Sequence, residues 1–242
     1  DGLSQGTILS MFQDSNGYIW IGTTDGLNRY NGYEYKKYYK NTSKENSIVN
    51  GAVTSINEDK NKNLWVGTSD GISRINLEDY SIKNYDEENS NLISDDISCI
   101  NVDDKGRVII ASKAGLSIYN ESLDNFTVID FSEGKNFQST KLDDEGNIYG
   151  LSDGLLFKFN LESKKYEEIY NEKLEETVYN NGIIDIFVDE NIIWIGTSSK
   201  GLFKYNMDTC EIEDVKKYYK DEDLDISYKI KEIYKDKNGN IL

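Results

Sequence analysis

Carboxylates and aromatic rings are the groups in this chain that could do chemistry. Asp14, Asp59, Asp103, Asp143 and Asp236 each begin a turn rich in Asn and Gly, such as Asp14-Ser15-Asn16-Gly17. Such turns resemble the first half of a calcium loop, in which several oxygens converge on one ion. Each run stops after two or three polar residues, and no bidentate Glu follows at the required spacing. The turns therefore read as hairpin connections with the Asp accepting backbone amides, and no metal site is expected. Trp20, Trp65 and Trp194 could stack on sugar rings, but they recur at one phase inside apolar runs, as packing between repeated sheets requires. A pair of carboxylates could hydrolyse a glycoside. With 44 acidic residues, however, close pairs arise by chance, and no local signature singles one out. Gly22-Thr23-Thr24-Asp25-Gly26 lacks the Lys-Ser/Thr end and following helix of a phosphate loop.

Composition removes other chemistries. The chain has no His, which eliminates Ser-His and Cys-His nucleophile pairs and His-ligated zinc. A net charge of −17 opposes nucleic-acid binding, which depends on Lys and Arg neutralising phosphates. Cys99 and Cys210 fall at different phases of the pattern described below and read as thiols rather than as a disulfide. Within this segment no apolar run reaches the roughly 18 residues that would span a bilayer, and no part of it reads as a signal peptide. The 37% apolar fraction is enough to build a core. No catalytic residue and no cofactor is expected.

These residues belong to a repeat. Aligned on Trp20, the equivalent positions are Trp65, Ile109, Tyr149, Trp194 and Leu242, at spacings of 45, 44, 40, 45 and 48 residues. That period suits a four-stranded propeller blade. Each copy opens with an alternating strand, such as Val53-Thr54-Ser55-Ile56-Asn57. The Asp stands six residues before the Trp position, or five in the case of Asp189. A second strand, apolar on both faces, follows (Ile19–Thr23, Leu64–Thr68, Val108–Ser112, Ile193–Thr197), which indicates burial on both sides. Gly22, Gly67, Gly196 and Ala111 share one position, where a neighbouring sheet should exclude a large side chain; the fourth copy has Leu151 there. A tight turn leads to a third strand ending at Asn31, Asn76, Asn120, Asn160 or Asn206, and a weaker fourth strand closes the unit. Polar linkers (41–50, 86–94, 170–181) join the copies, and no long amphipathic helix is expected.

The predicted fold is all-β: a propeller of four-stranded antiparallel blades. Five are complete, at about 1–45, 46–90, 91–133, 134–176 and 177–222, and a sixth at 223–242 is cut within its second strand. The chain therefore reads as a single propeller fragment of a larger ring whose exposed blade faces invite self-association.

Asp-Gly-Leu-Ser at 1–4, Asp-x-Asn-Gly-x-Ile-Trp-Ile-Gly-Thr at 14–23 and Asp-Gly-Leu-Asn-Arg-Tyr-Asn at 25–31 resemble the two-component regulator propeller repeat. Copies one, two and five match closely, three and four loosely. The resemblance implies seven-bladed propellers, often in tandem, on the outer side of the cytoplasmic membrane. A transmembrane helix outside the present chain would lead to a histidine kinase, hybrid sensor or diguanylate cyclase. It also implies a sensory, non-catalytic role, with oligosaccharides among the family's inputs.

The turn after strand two and the linker after strand four are expected on one edge of each blade. That turn varies most in charge between copies, and functional residues concentrate on loops held by a rigid scaffold. Asp25, Asp70, Lys113, Asp153 and Lys200 are the resulting ligand-binding candidates. The leading functional expectation is an extracytoplasmic sensor of a small ligand. The alternatives are a protein-interaction scaffold and a polysaccharide-active propeller enzyme.

Overall fold

The computed structural model describes residues 2–41, 46–143, 145–152, 155–169, 172–178, 182–218, 229–236 and 238–241. Two compact units, 1–137 and 138–242, are each taken by itself.

The first unit holds three sheets, each formed from four consecutive antiparallel strands. The first comprises β1 (Ile8–Gln13), β2 (Ile19–Thr23), β3 (Gly26–Tyr30) and β4 (Tyr35–Tyr38). The second comprises β5 (Val53–Glu58), β6 (Asn63–Thr68), β7 (Gly71–Asn76) and β8 (Ile82–Tyr85). The third comprises β9 (Ile97–Val102), β10 (Val108–Ser112), β11 (Gly115–Asn120) and β12 (Asn125–Val128). In the second unit lie β13 (Phe137–Leu142), β14 (Asn147–Ser152), β15 (Leu155–Asn160) and β16 (Lys165–Ile169), then β17 (Ile183–Asp189), β18 (Ile192–Thr197), β19 (Leu202–Asn206) and β20 (Glu211–Asp214). An isolated antiparallel bridge between Lys235 and Ile241 opens a further hairpin. These are the up-and-down blades of a β-propeller.

Sheets stack through one recurring socket. A Cβ built on Gly22 would lie 2.5 Å from Val53 Cγ1, on Gly67 2.7 Å from Ile97 Cγ2, and on Gly196 2.6 Å from Ile230 Cγ2. At Gly22 and Gly67 the first strand of the following copy, through Val53 on β5 and Ile97 on β9, thus enters the space that glycine leaves, as Ile230 does at Gly196, which is why these positions stay small. In the fourth copy the adjustment involves Gly150, where a Cβ would lie 2.1 Å from Phe157 Cε1, and a short helix. That helix, α1 (Glu172–Thr177), lies in the stretch that reads as a polar linker. Its Leu174, with Val178, joins Leu151 and Ile183 in one apolar cluster. A leucine in place of the glycine fills the socket, and the linker supplies apolar side chains to pack around it. Leu242, the last Trp-equivalent position, lies outside the described residues.

Candidate functional site

The turns between second and third strands are closed by a hydroxyl. Thr23 Oγ1 donates to the Gly26 carbonyl (3.0 Å) and accepts from the Asp25 amide (3.1 Å). Thr68 does the same with Gly71 (2.8 Å) and Asp70 (3.1 Å). Thr197 donates to the Gly201 carbonyl (2.9 Å) and accepts from the Lys200 amide (3.0 Å), and Ser112 donates to the Gly115 carbonyl (2.9 Å). Gly26 and Gly71 have φ of 123° and 108°, a region that side-chain-bearing residues rarely adopt. Asp25, Asp70, Lys113 and Lys200 are all exposed on these turns; Asp153 lies outside the described residues. Linkers run beside the turns, as expected: the Gly26 amide donates to the Gly51 carbonyl (2.7 Å) and the Gly71 amide to the Asp95 carbonyl (2.7 Å).

Among these turn residues, Asp70 lines a cavity. The cavity, about 370 Å³, is lined by Lys40, Asp70, Asn84, Asp86, Glu88 and Asp95 among others. Lys40 Nζ stands 2.9 Å from Asp70 Oδ2, with Asn50 Nδ2 at 3.5 Å. The hydrogen bond from Lys40 is the main reason the Asp70 carboxyl is held below the usual carboxylate range. Asp95 moves the other way: burial raises it first, and neighbouring Glu87, Asp86 and Asp70 add to the effect, while its bond from the Glu87 amide opposes. The wall is fixed by Asn84, which accepts from Ser73 Oγ (2.7 Å) and donates to the Ser47 carbonyl (2.9 Å). A lysine, carboxylates displaced in opposite directions and a rigid amide form a polar recess suited to hydroxyl-rich ligands. Asp25, Lys113 and Lys200 do not line it; Lys113 is ion-paired with Asp96 on the adjoining linker. Among the described residues, no group of three or more Cys, Asp or Glu could hold a metal ion.

The signature residues are structural. Asp14 Oδ1 accepts the Asn16 and Tyr18 amides (3.0 and 2.9 Å), and its Oδ2 accepts Trp20 Nε1 at 2.7 Å. Asp59 holds the Asn61 and Asn63 amides and Trp65 Nε1 (2.7 Å) in the same way. Both carboxylates are buried and their oxygens are engaged, so the turn closes without an ion. Trp20 and Trp65 are fully buried. Trp194 departs from the expectation of interior packing: it is half-buried, and its enclosed Nε1 has no hydrogen-bond partner. Asn31, Asn76, Asn120, Asn160 and Asn206 accept amides two or three residues on, within the turn to the fourth strand.

One recurring element escaped the reading of the sequence. A cation stands opposite most Trp-equivalent positions in the register: Arg29 faces Trp20, Arg74 faces Trp65, Lys158 faces Tyr149 and Lys204 faces Trp194. Their charges lie 4.4–5.8 Å from those ring centroids, within cation–π range. The signal was in the third strand, where an Arg or Lys immediately precedes the aromatic or Ile that ends the run (Tyr30, Ile75, Phe159, Tyr205).

The repeat described as "Two component regulator propeller" matches residues 2–25 and 47–70. Over 48 residues the chain is 44% identical to histidine kinase P4 of Formosa agariphila, covering 20% of this chain and 4% of that protein. A B. thetaiotaomicron structure described as the extracellular domain of a hybrid two component system is similar across 99% of this chain and 38% of its own, with TM-score 0.74 and 22% identity. Virginiamycin B lyase from Staphylococcus aureus shares the fold at TM-score 0.66 and 14% identity, over 85% of this chain and 68% of its own. The chain therefore spans well under half the length of the histidine kinase and of the two component domain it matches. With five sheets built on one phased motif, the chain is a run of β-propeller blades that carries the two component regulator propeller repeat.

Proposed function

We propose that this chain is the ligand-sensing propeller of a membrane-bound bacterial signal-transduction protein. It stands on the extracytoplasmic side, binds a carbohydrate or other small ligand, and relays occupancy to a cytoplasmic output domain through segments outside this chain. The observation that carries this reading is the 44% identity to histidine kinase P4 over 48 residues. The polar cavity beside Asp70, next to a matched repeat, is where hydroxyl groups would find both donors and acceptors. The chain's own part is read as binding, since no local signature singles out a catalytic pair among its carboxylates. A packed propeller offers no internal hinge, so the relay runs through rearrangement of associated copies.

Calorimetric titration of the full-length protein against a panel of neutral and acidic oligosaccharides tests this. A saturating ligand whose affinity falls at least about tenfold in Asp70→Ala is expected. A panel without any ligand, or a ligand indifferent to that change, sinks the assignment of the cavity.

A second reading, a non-catalytic interaction scaffold, is favoured by the exposed Ile8, Leu9 and Met11 on β1. Light scattering across concentrations separates the two. Association lost in Met11→Lys with ligand binding intact supports the scaffold; a mass independent of concentration removes it.

A further inference from the structure

The chain repeats one arrangement of cations twice, and only one of the two is filled. On the second sheet Arg74 and Lys83 face each other across β7 and β8. Together they hold Asp124, which projects from the β11–β12 turn of the next sheet. Arg74 Nη1 lies 3.1 Å from Asp124 Oδ1, Lys83 Nζ bonds Oδ2, and the hydroxyls of Tyr85 and Tyr119 donate to Oδ1 at 2.6 and 2.5 Å. A carboxylate thus receives an arginine, a lysine and two phenols.

The first sheet carries the same pair at the same register. Arg29 faces Lys36 across β3 and β4, and Tyr38 stands where Tyr85 does, opposite Leu27 as Tyr85 is opposite Ile72. The residue that reaches over from the next sheet, however, is Tyr80. It lies four beyond Asn76, as Asp124 lies four beyond Asn120, and both have positive φ (60° and 48°). The tyrosine ring lies 4.2 Å from the Arg29 guanidinium carbon, with Tyr18 at 4.6 Å. These contacts use ring faces and leave the N–H donors unmet. Arg29 Nη1 and Tyr38 Oη are both buried without a hydrogen-bond partner. They are the counterparts of Arg74 Nη1 and Tyr85 Oη, two of the three atoms that hold Asp124 Oδ1. Buried polar atoms are nearly always partnered, and here two unpartnered ones stand at the register positions that on the next sheet hold a carboxylate.

A cavity of about 280 Å³ opens beside Arg29, lined by it with Lys36, Tyr35, Asn31 and Glu34. Lys36 makes no ion pair among the described residues. Glu34 is exposed and pairs with neither cation. Two cations that face aromatic rings and have no carboxylate partner among the described residues are unusual in a chain of net charge −17. Tyr35 stacks on Tyr30 with centroids 4.7 Å apart, giving the recess an aromatic wall.

We propose that Arg29 and Lys36, the two cations lining this recess, form a binding site for the carboxylate of a small ligand, of the kind a hexuronic acid sugar carries, with Tyr35 packing against its ring. The site shares no residue with the Asp70 cavity and stands or falls independently of it. Charge-assisted bonds from a guanidinium fork select a planar carboxylate over a neutral hydroxyl.

The test titrates the full-length protein with D-galacturonate, its methyl ester, D-galactose and acetate. Galacturonate is expected to bind at least tenfold more tightly than acetate, and the ester and galactose not measurably. Arg29→Met and the exposed-site Lys36→Met should each weaken galacturonate at least tenfold. Tyr80→Asp, which supplies an internal carboxylate as Asp124 does, should abolish binding while raising the unfolding midpoint. Asp124→Ala should open a second site and move the stoichiometry from one to two. Unchanged affinity in Lys36→Met, binding that survives Tyr80→Asp, or an ester that binds as well as the acid overturns the proposal. Equal affinity for acetate and galacturonate overturns the sugar-acid assignment.

Discussion

Trp65 and Trp194 occupy the same position in copies two and five, yet their surroundings differ. Trp65 is fully buried, ringed by Tyr85, Tyr119 and Phe126 with centroids 4.6–6.4 Å away, and its indole N–H is held by Asp59 at 2.7 Å. Trp194 is half-buried, its N–H has no acceptor, and Asp189 turns instead to Lys235 at 2.7 Å. The cause is one residue. The copy-five turn is a short one with Glu190 at φ 54°, so the Asp stands five rather than six positions ahead and its carboxylate does not meet the indole. An aromatic at the right phase fits a repeat; the spacing to its acceptor decides whether it anchors one.

The strongest way to break this comparison is to remove the rings. Trp65→Ala is expected to cost about 3–5 kcal/mol in urea unfolding, the range for emptying a buried aromatic site, and Trp194→Ala clearly less. Equal losses would show that the spacing of the acceptor is irrelevant. Removing the acceptors comes next. Asp59→Ala orphans the Trp65 N–H and two turn amides and should cost about 1–3 kcal/mol, whereas Asp189→Ala breaks a partly exposed ion pair worth about 0–1 kcal/mol. The comparison sharpens if a glycine is inserted after Glu190, restoring the six-residue spacing. The gain expected is about 1 kcal/mol, together with a downfield shift of the Trp194 indole proton in NMR spectra.

The smallest effect concerns pH. Burial would raise Asp124, but the bonds from Lys83, Tyr119 and Tyr85 and the charge of Arg74 outweigh it and hold the carboxyl well below its ordinary range. Its folded-state value being depressed, the stabilisation is fully present above the unfolded carboxylate value near 3.9 and is lost as pH falls below it. Asp124→Asn should flatten the acid limb of the stability profile and leave neutral pH less affected. At the other end, burial pushes the Tyr38 phenol up to about 12, with Arg29 opposing and Tyr80 adding. Stability should therefore decline as pH rises from about 10 towards that value, and Tyr38→Phe should remove this part of the decline.

Much of the fold was legible because its determinants are local and periodic. The Gly at 22, 67 and 196, the Asn closing each third strand and the Asp opening each turn announce their roles by recurring with the same neighbours. What escaped was set by contacts between copies. α1 could not be read from 170–181, because its Leu174 and Val178 look sparse until Leu151 is known to need covering. Of the residues lining the cavity, the variable turns pointed to Asp70 alone, since variability in a turn marks exposure but does not say which turns have a wall beside them. Arg29 was hidden for the same reason: its missing acceptor becomes visible only once Asp124 is seen holding Arg74.

The socket at Gly22, Gly67 and Gly196 has a consequence for how such a chain can change over generations. The second copy carries a hole at Gly67 in its second strand and, in its first strand, Val53, the aliphatic plug that fits the Gly22 hole of the copy before it; Ile97 of the third copy fills the Gly67 hole in turn. A duplicated copy therefore arrives with both halves of its joint, and whole units can be gained or lost without redesigning a seam. A change confined to one side, such as Gly67→Val, has no such licence: it must await a matching loss in the neighbour, so the plug and the hole are inherited as a pair.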